Sequence, residues 1–248
     1  MPFSRLSIQW KITLLAGLCL LVIVTLLVAT SLYQARSSAE MVKQSSSQML
    51  EQAAQLRMQA RAEAQALEIQ RYFMDAYQYG KGFSRQVLFL RAQAEKRFLD
   101  AFDLREDMTR QVRTALEGNP DLLGLYVVFE ANALDGKDDL FVGQAELGSN
   151  DKGRFSLYWS QATAGELEAE PLSEEQLADT TAGPSGTPYN AWYTCPRDSK
   201  AACVLDPYFD DVGGKQILMT SIAFPLLPDG KVVGVMGVEI SLDSLDQP

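Results

Sequence analysis

The chain has 248 residues, 47% of them hydrophobic and 22% charged, which excludes a disordered tail and leaves room for one sizeable core or two small ones. It contains no histidine, so imidazole-based triads, imidazole metal sites and the usual near-neutral proton switch are excluded. Acidic residues outnumber basic ones 32 to 22, a formal charge of −10 that argues against nucleic acid as a partner and suits small cations.

Residues 1–11 carry Arg5 and Lys11, with Trp10 at their end, and are followed by 21 uncharged residues, Ile12 to Leu32. At about 1.5 Å per residue that run spans a hydrocarbon core of roughly 30 Å, and the preceding positive charge places residues 1–11 in the cytoplasm. A cleaved signal peptide is the alternative, with Ala29, Thr30 and Ser31 near a cut. The run is longer than an h-region of about 7 to 15 residues and leads straight into a helical pattern, which favours an uncleaved anchor in the inner membrane. Beyond Leu32 there are 20 bases against 32 acids, a net of −12 on the outer side.

Residues 33–79 lack Gly and Pro and are rich in good helix formers, predicting one long helix. Met41, Met49, Ala53, Leu56, Ala60, Ala64, Leu67 and Tyr72 recur at steps of mostly three and four. That narrow stripe is suited to pairing with a second copy. Gly80 and Gly82 are expected to break the helix, and a second helix is expected from about 86 to 116, ended by Gly118, Asn119 and Pro120. Strands are expected at 122–130, 154–161, 215–225 and 231–240, the last two joined by a Leu-Pro-Asp-Gly turn. Helices first and an antiparallel sheet afterwards give an α+β fold. The polar stretches 131–152 and 161–190 are too long for hairpin turns and read as lids or a second small lobe.

Several segments, taken in order, carry a resemblance: Asn150-Asp151, Gly153-Arg154-Phe155, Tyr158-Trp159, Trp192-Tyr193, Pro196, Asp206-Pro207-Tyr208, Gly214-Lys215, Leu218-Met219-Thr220-Ser221, Gly234-Val235 and Gly237-Val238-Glu239-Ile240. Together they resemble the double-Cache sensor domain of bacterial methyl-accepting chemotaxis receptors. The resemblance implies a long N-terminal helix carrying two stacked PAS-like sheet modules over residues 33–248. The ligand would lie in a membrane-distal module of about 86–225, and the remainder would be membrane-proximal. It further implies a return through the membrane after Leu245, and a cytoplasmic adaptor and kinase as partners of a missing C-terminal half.

A small organic cation needs a carboxylate for its charge and an aromatic face for its desolvated surface. Tyr158, Trp159, Trp192, Tyr193 and Tyr208 supply the rings. Tyr208 and Asp210, two apart in an extended segment, share a face and form the leading pair for an amine. Asp211 points away. Glu239 lies on the strand face of Val233, Val235 and Gly237, an unusual place for an acid unless it pairs or faces a cavity. The resembling family commonly has Asp there, on the ligand's ammonium. Glu170 is a further acid, placed to close over a second ammonium.

An amino-acid ligand would also need an arginine beside Trp192-Tyr193, and Tyr189, Asn190 and Ala191 provide none. Amines without a carboxylate fit better, whether putrescine-like polyamines or histamine. Arg154 is read as a structural ion-pair partner, leaving organic acids a lesser class. Cys195 and Cys203, in an oxidising compartment, are expected to form a disulfide that braces Trp192 and Tyr193. No metal and no cofactor are expected. The implied role is ligand sensing without catalysis. The alternatives are a histidine-kinase input of the same fold, an anchored periplasmic hydrolase using paired carboxylates, and a structural coiled-coil protein.

Overall fold

The computed structural model describes residues 8–183 and 185–243. Expectations resting on Arg5, on the rest of 1–7, or on the stretch beyond 243 lie outside the described residues. The chain divides into two compact units, the first ending at Leu67 and the second starting at Glu68.

Helix α1 covers Ile8–Arg97. Every described residue of the first unit belongs to it and is exposed, including Ile12 to Leu32, and it holds a window of mean hydropathy 2.9, long and apolar enough to cross a membrane. So many exposed leucines and valines in one run are unsuited to water.

The helix does not break at Gly80 and Gly82 as expected. A glycine in a helix interior costs roughly 1 kcal/mol relative to alanine. Gly80, however, is buried against the sheet, where a Cβ would overlap the Phe224 ring and lie 3.0 Å from a Val238 methyl. Close packing fixes that residue. The break falls later, at Phe98 with its positive φ of 55°, and Asp100 then caps helix α2 (Ala101–Glu117) by accepting from the Phe102 N–H at 2.8 Å. The helix expected at 86–116 is therefore the end of α1 followed by α2.

Seven strands form one antiparallel sheet: β1 (Gly124–Phe129), β2 (Ser156–Ser160), β3 (Glu168–Pro171), β4 (Cys203–Val204), β5 (Tyr208–Val212), β6 (Lys215–Leu226) and β7 (Gly234–Ser241). Their order is β3-β2-β1-β7-β6-β4, and β5 also pairs with β6. The four strands anticipated from apolar runs are β1, β2, β6 and β7. The assignment of everything after about 225 to a separate membrane-proximal module needs correction, because β7 pairs with both β1 and β6 inside the sheet. Its run is apolar on both faces, as an interior strand requires. Among the described residues there is one sheet, not two stacked ones.

One sheet face, with Leu125, Val127, Phe129, Leu157, Phe224, Met236 and Val238, packs on Phe83 and Val87 of α1 and on Leu104, Met108 and Val112 of α2. The opposite face carries Tyr126, Val128, Ala223 and Val235 and is covered by α3 (Glu174–Ala178) and α4 (Ala191–Ser199) through Leu172, Leu177, Trp192 and Tyr193. Helix α3 arises locally from a capping box, Ser173 with Gln176. The polar stretch 161–190 thus supplies β3 and α3. The other stretch, 131–152, is held by a wholly buried Arg105, which ion-pairs with Asp135 at 2.7 Å and Asp138 at 2.8 Å.

Candidate functional site

Strand alternation puts the odd-numbered residues of β7 on one side of its ladder and their partners alongside. Glu239 stands opposite Gly124 of β1 on one side and Ser221 of β6 on the other, and Tyr126 stands between Gly237 and Tyr158. The two glycines make this floor possible. A Cβ on Gly124 would meet the Tyr158 ring at 2.7 Å and Glu239 Oε2 at 2.8 Å, and one on Gly237 would overlap the Tyr126 ring.

Above this floor lies a cavity of about 70 Å³ lined by Tyr126, Tyr158, Glu170, Leu172, Gln176, Tyr189, Trp192, Tyr208, Asp210, Asp211 and Glu239. That volume is several times the roughly 10–15 Å³ that a single water needs, room for a small molecule rather than a peptide. The Tyr126 and Trp192 rings meet edge to face at 4.9 Å, and the Tyr126 hydroxyl donates to the Trp192 carbonyl at 3.2 Å, tying α4 to the floor.

Glu239 is the most buried of the four lining acids, only 6% exposed. The Tyr158 hydroxyl donates to its Oε2 at 2.6 Å, the Tyr208 hydroxyl to its Oε1 at 3.2 Å and the Ser221 hydroxyl to the same oxygen at 3.3 Å. Burial, and then the negative charge of Asp210, push the Glu239 carboxyl up to about 7 against the pull of these hydrogen bonds. Burial also raises Asp210, against the pull of the Asp211 backbone N–H that donates to it, and raises Glu170, with Asp210 and Glu168 adding to it. The Tyr158 and Tyr208 phenols are driven far up by burial and then by the Glu239 charge, so they remain donors. Tyr189 is pushed up to about 12, first by burial. Among the described lining residues there are four carboxylates and neither lysine nor arginine. The four acids repel one another, and no basic side chain among the described lining residues offsets them.

Tyr158, Glu170, Trp192, Tyr208, Asp210 and Glu239 meet in this cavity as anticipated. Trp159 and Tyr193 do not line it. Adjacent strand residues point to opposite faces, so Trp159 packs on the helix side of the sheet, with the Arg113 guanidinium 5.7 Å from its ring. Adjacent helix residues diverge by about 100°. Tyr193 accordingly turns from the cavity, donating to Glu130 Oε1 at 2.6 Å and accepting from Arg154 Nη1 at 3.2 Å. Arg154 also pairs with Glu174 at 2.9 Å, the structural role expected of it.

Tyr126, Leu172, Gln176, Tyr189 and Asp211 complete the wall and were not anticipated. Tyr126 had a signal, being the one polar side chain in an otherwise apolar strand. Asp211 lines the cavity despite its opposite parity, at the end of a two-strand hairpin. Cys195 and Cys203 are bonded, joining α4 to β4. No group of three or more His, Cys, Asp or Glu residues suited to a metal occurs among the described residues.

The family model for the methyl-accepting chemotaxis protein-like first PDC sensor domain matches residues 108–247. The chain is 71% identical over 245 residues to the methyl-accepting chemotaxis protein TlpQ of Pseudomonas aeruginosa, a match covering 99% of this chain. It covers 34% of TlpQ, so the chain spans about a third of that relative's length. The periplasmic sensory domain of the Campylobacter jejuni chemoreceptor Tlp1 has the same fold, with a TM-score of 0.51 at 15% identity, covering 74% of this chain and 59% of that one. The ligand-binding domain of the Pseudomonas aeruginosa amino acid chemoreceptor PctC, solved with GABA, gives a TM-score of 0.40 at 16% identity, covering 73% of this chain and 58% of that one.

Proposed function

The chain belongs to the methyl-accepting chemotaxis protein-like PDC sensor family, and we propose that its cavity binds a small organic cation, a polyamine such as putrescine or a biogenic amine such as histamine. The observation that carries this reading is the lining itself: Glu170, Asp210, Asp211 and Glu239 among five aromatic rings, with no basic side chain among the described lining residues. Carboxylates strengthen an ammonium contact in a poorly hydrated site, and ring faces cover its apolar surface. An amino acid or organic acid would bring a carboxylate to four others without a cation to receive it. Arg154, the arginine nearest in sequence to the floor residues of β2, is engaged by Glu174 and Tyr193.

The whole protein, on this reading, is a chemotaxis receptor of the inner membrane. Ile12 to Leu32 anchors it, the unit from Glu68 onward meets ligand in the periplasm, and the stripe on α1 pairs two copies. Output passes to a cytoplasmic adaptor and kinase. Binding shifts a two-state equilibrium by its differential affinity for the two states, without catalysis. The direct test is a thermal-shift screen of the 248-residue chain in detergent against amines, amino acids and organic acids. Amines are expected to raise the melting temperature; an organic acid that does so while every amine fails overturns the reading.

A further inference from the structure

Among its described lining residues the cavity has no histidine and no basic side chain, yet its deepest carboxyl sits where a negative charge is hard to keep. Glu239 is enclosed by groups from every neighbouring element: Tyr126 of β1, Tyr158 of β2, Glu170 of β3, Tyr208, Asp210 and Asp211 of β5, Ser221 of β6, and Tyr189 before α4. Three are acids and the others are neutral. Hydroxyl donors within 3.3 Å satisfy the carboxyl oxygens but bring no positive charge. A buried ion that lacks a counter-charge neutralises itself by taking a proton.

We propose that the empty cavity holds a proton on Glu239 and that an arriving cation expels it, so that one site responds to acidity and to ligand together. The second half of this proposal rests on the amine reading above; the first does not. The exchange balances simply. The Glu239 O–H bond breaks, its proton leaves to solvent, and the ammonium, which keeps its own protons, takes over as counter-ion. The raised position of this carboxyl, near 7, sets the range in which the exchange is felt. An alkylammonium stays charged throughout that range, as a lysine does with its value of about 10.4, so the ligand itself contributes no titration.

Two measurements on the 248-residue chain in detergent test the two halves separately. The first uses no ligand. Folded Glu239 retains its proton up to about 7 and the unfolded chain releases it near the ordinary 4.5. The folded form therefore holds the extra proton between those values, and its stability falls as pH rises through them. The melting temperature is expected to drop from about pH 5.5 to about pH 8, with a clearly shallower drop in Glu239→Gln, which mimics the neutral acid. An identical slope in both proteins overturns the empty-cavity half.

The second measurement is calorimetric titration of the unaltered chain with 1,4-diaminobutane in buffers of differing ionisation enthalpy. Roughly one proton is expected to leave per amine bound at about pH 6 and almost none at about pH 8, with affinity roughly tenfold weaker at the lower pH. Binding at about pH 6 with no proton released overturns the exchange while leaving the amine reading standing. Absence of any amine binding overturns the amine reading and the exchange with it, and the melting series then decides the proton site alone.

Discussion

On the amine reading proposed above, Asp210 and Glu239 carry the recognition chemistry, and they differ in how water treats them. Asp210 is half-buried at the rim on β5, whereas Glu239 is enclosed on β7. Asp210→Asn keeps shape and removes charge, and titration calorimetry is expected to show amine binding weakened by about 2 kcal/mol. Unchanged affinity removes Asp210 from the amine contact. A second prediction concerns the floor: Gly237→Ala sets a methyl into the Tyr126 ring. A loss of about 1–3 kcal/mol in chemical denaturation is expected, together with loss of amine binding. A Gly237→Ala protein of full stability and affinity contradicts the close-packed floor. Parity made Asp210 and Tyr208 legible as a pair in the sequence, and an acid on an apolar strand marked Glu239. Strand alternation parts Tyr158 from Trp159, and the helical step of about 100° parts Trp192 from Tyr193, so only the first of each pair lines the cavity. Composition excluded a near-neutral switch because it counted histidines; the proton site proposed above places one on a buried glutamate instead.

Helix α4 is nine residues long with Pro196 inside it, too short and too poorly patterned to stand out in the sequence, yet it presents Trp192 to the cavity. Its C-terminal half is bonded to β4 through Cys195–Cys203. Reduction, or the double substitution of both cysteines by serine, is expected to lower stability by roughly 2–3 kcal/mol and to weaken amine binding as Trp192 loses its brace. The paired readout is the melting temperature with and without amine, and an unchanged ligand-induced shift contradicts the bracing role. Strands β1, β2, β6 and β7 were legible because their apolar runs are long. β3, with its sequence Glu-Ala-Glu-Pro, has no such run and forms because β2 offers it an edge. The persistence of α1 through Gly80 was illegible for a similar reason, since the contact with Phe224 lies 144 positions away in the chain.

Charge acts at the scale of the whole chain. The −12 carried beyond Leu32 and the acidic cavity both favour the approach of a cation, whose association rate is expected to fall as salt is raised from about 0.01 M to about 0.15 M. Stopped-flow measurement of association against ionic strength checks this, and a salt-independent rate contradicts electrostatic steering. The α+β class and a run apolar enough to cross a membrane were legible from order and composition, and the family from its resembling motif segments. The single sheet was not, because β7 joins the sheet between β1 and β6 through ladders of more than a hundred intervening residues on the β1 side. The most direct measurement of the central claim is a crystal structure of the chain with 1,4-diaminobutane. An amine nitrogen is expected within about 3 Å of a carboxylate oxygen of Glu239 or Asp210, with its methylenes against Trp192 or the tyrosine rings. An amine bound elsewhere while this cavity stays empty at saturating concentration would contradict it.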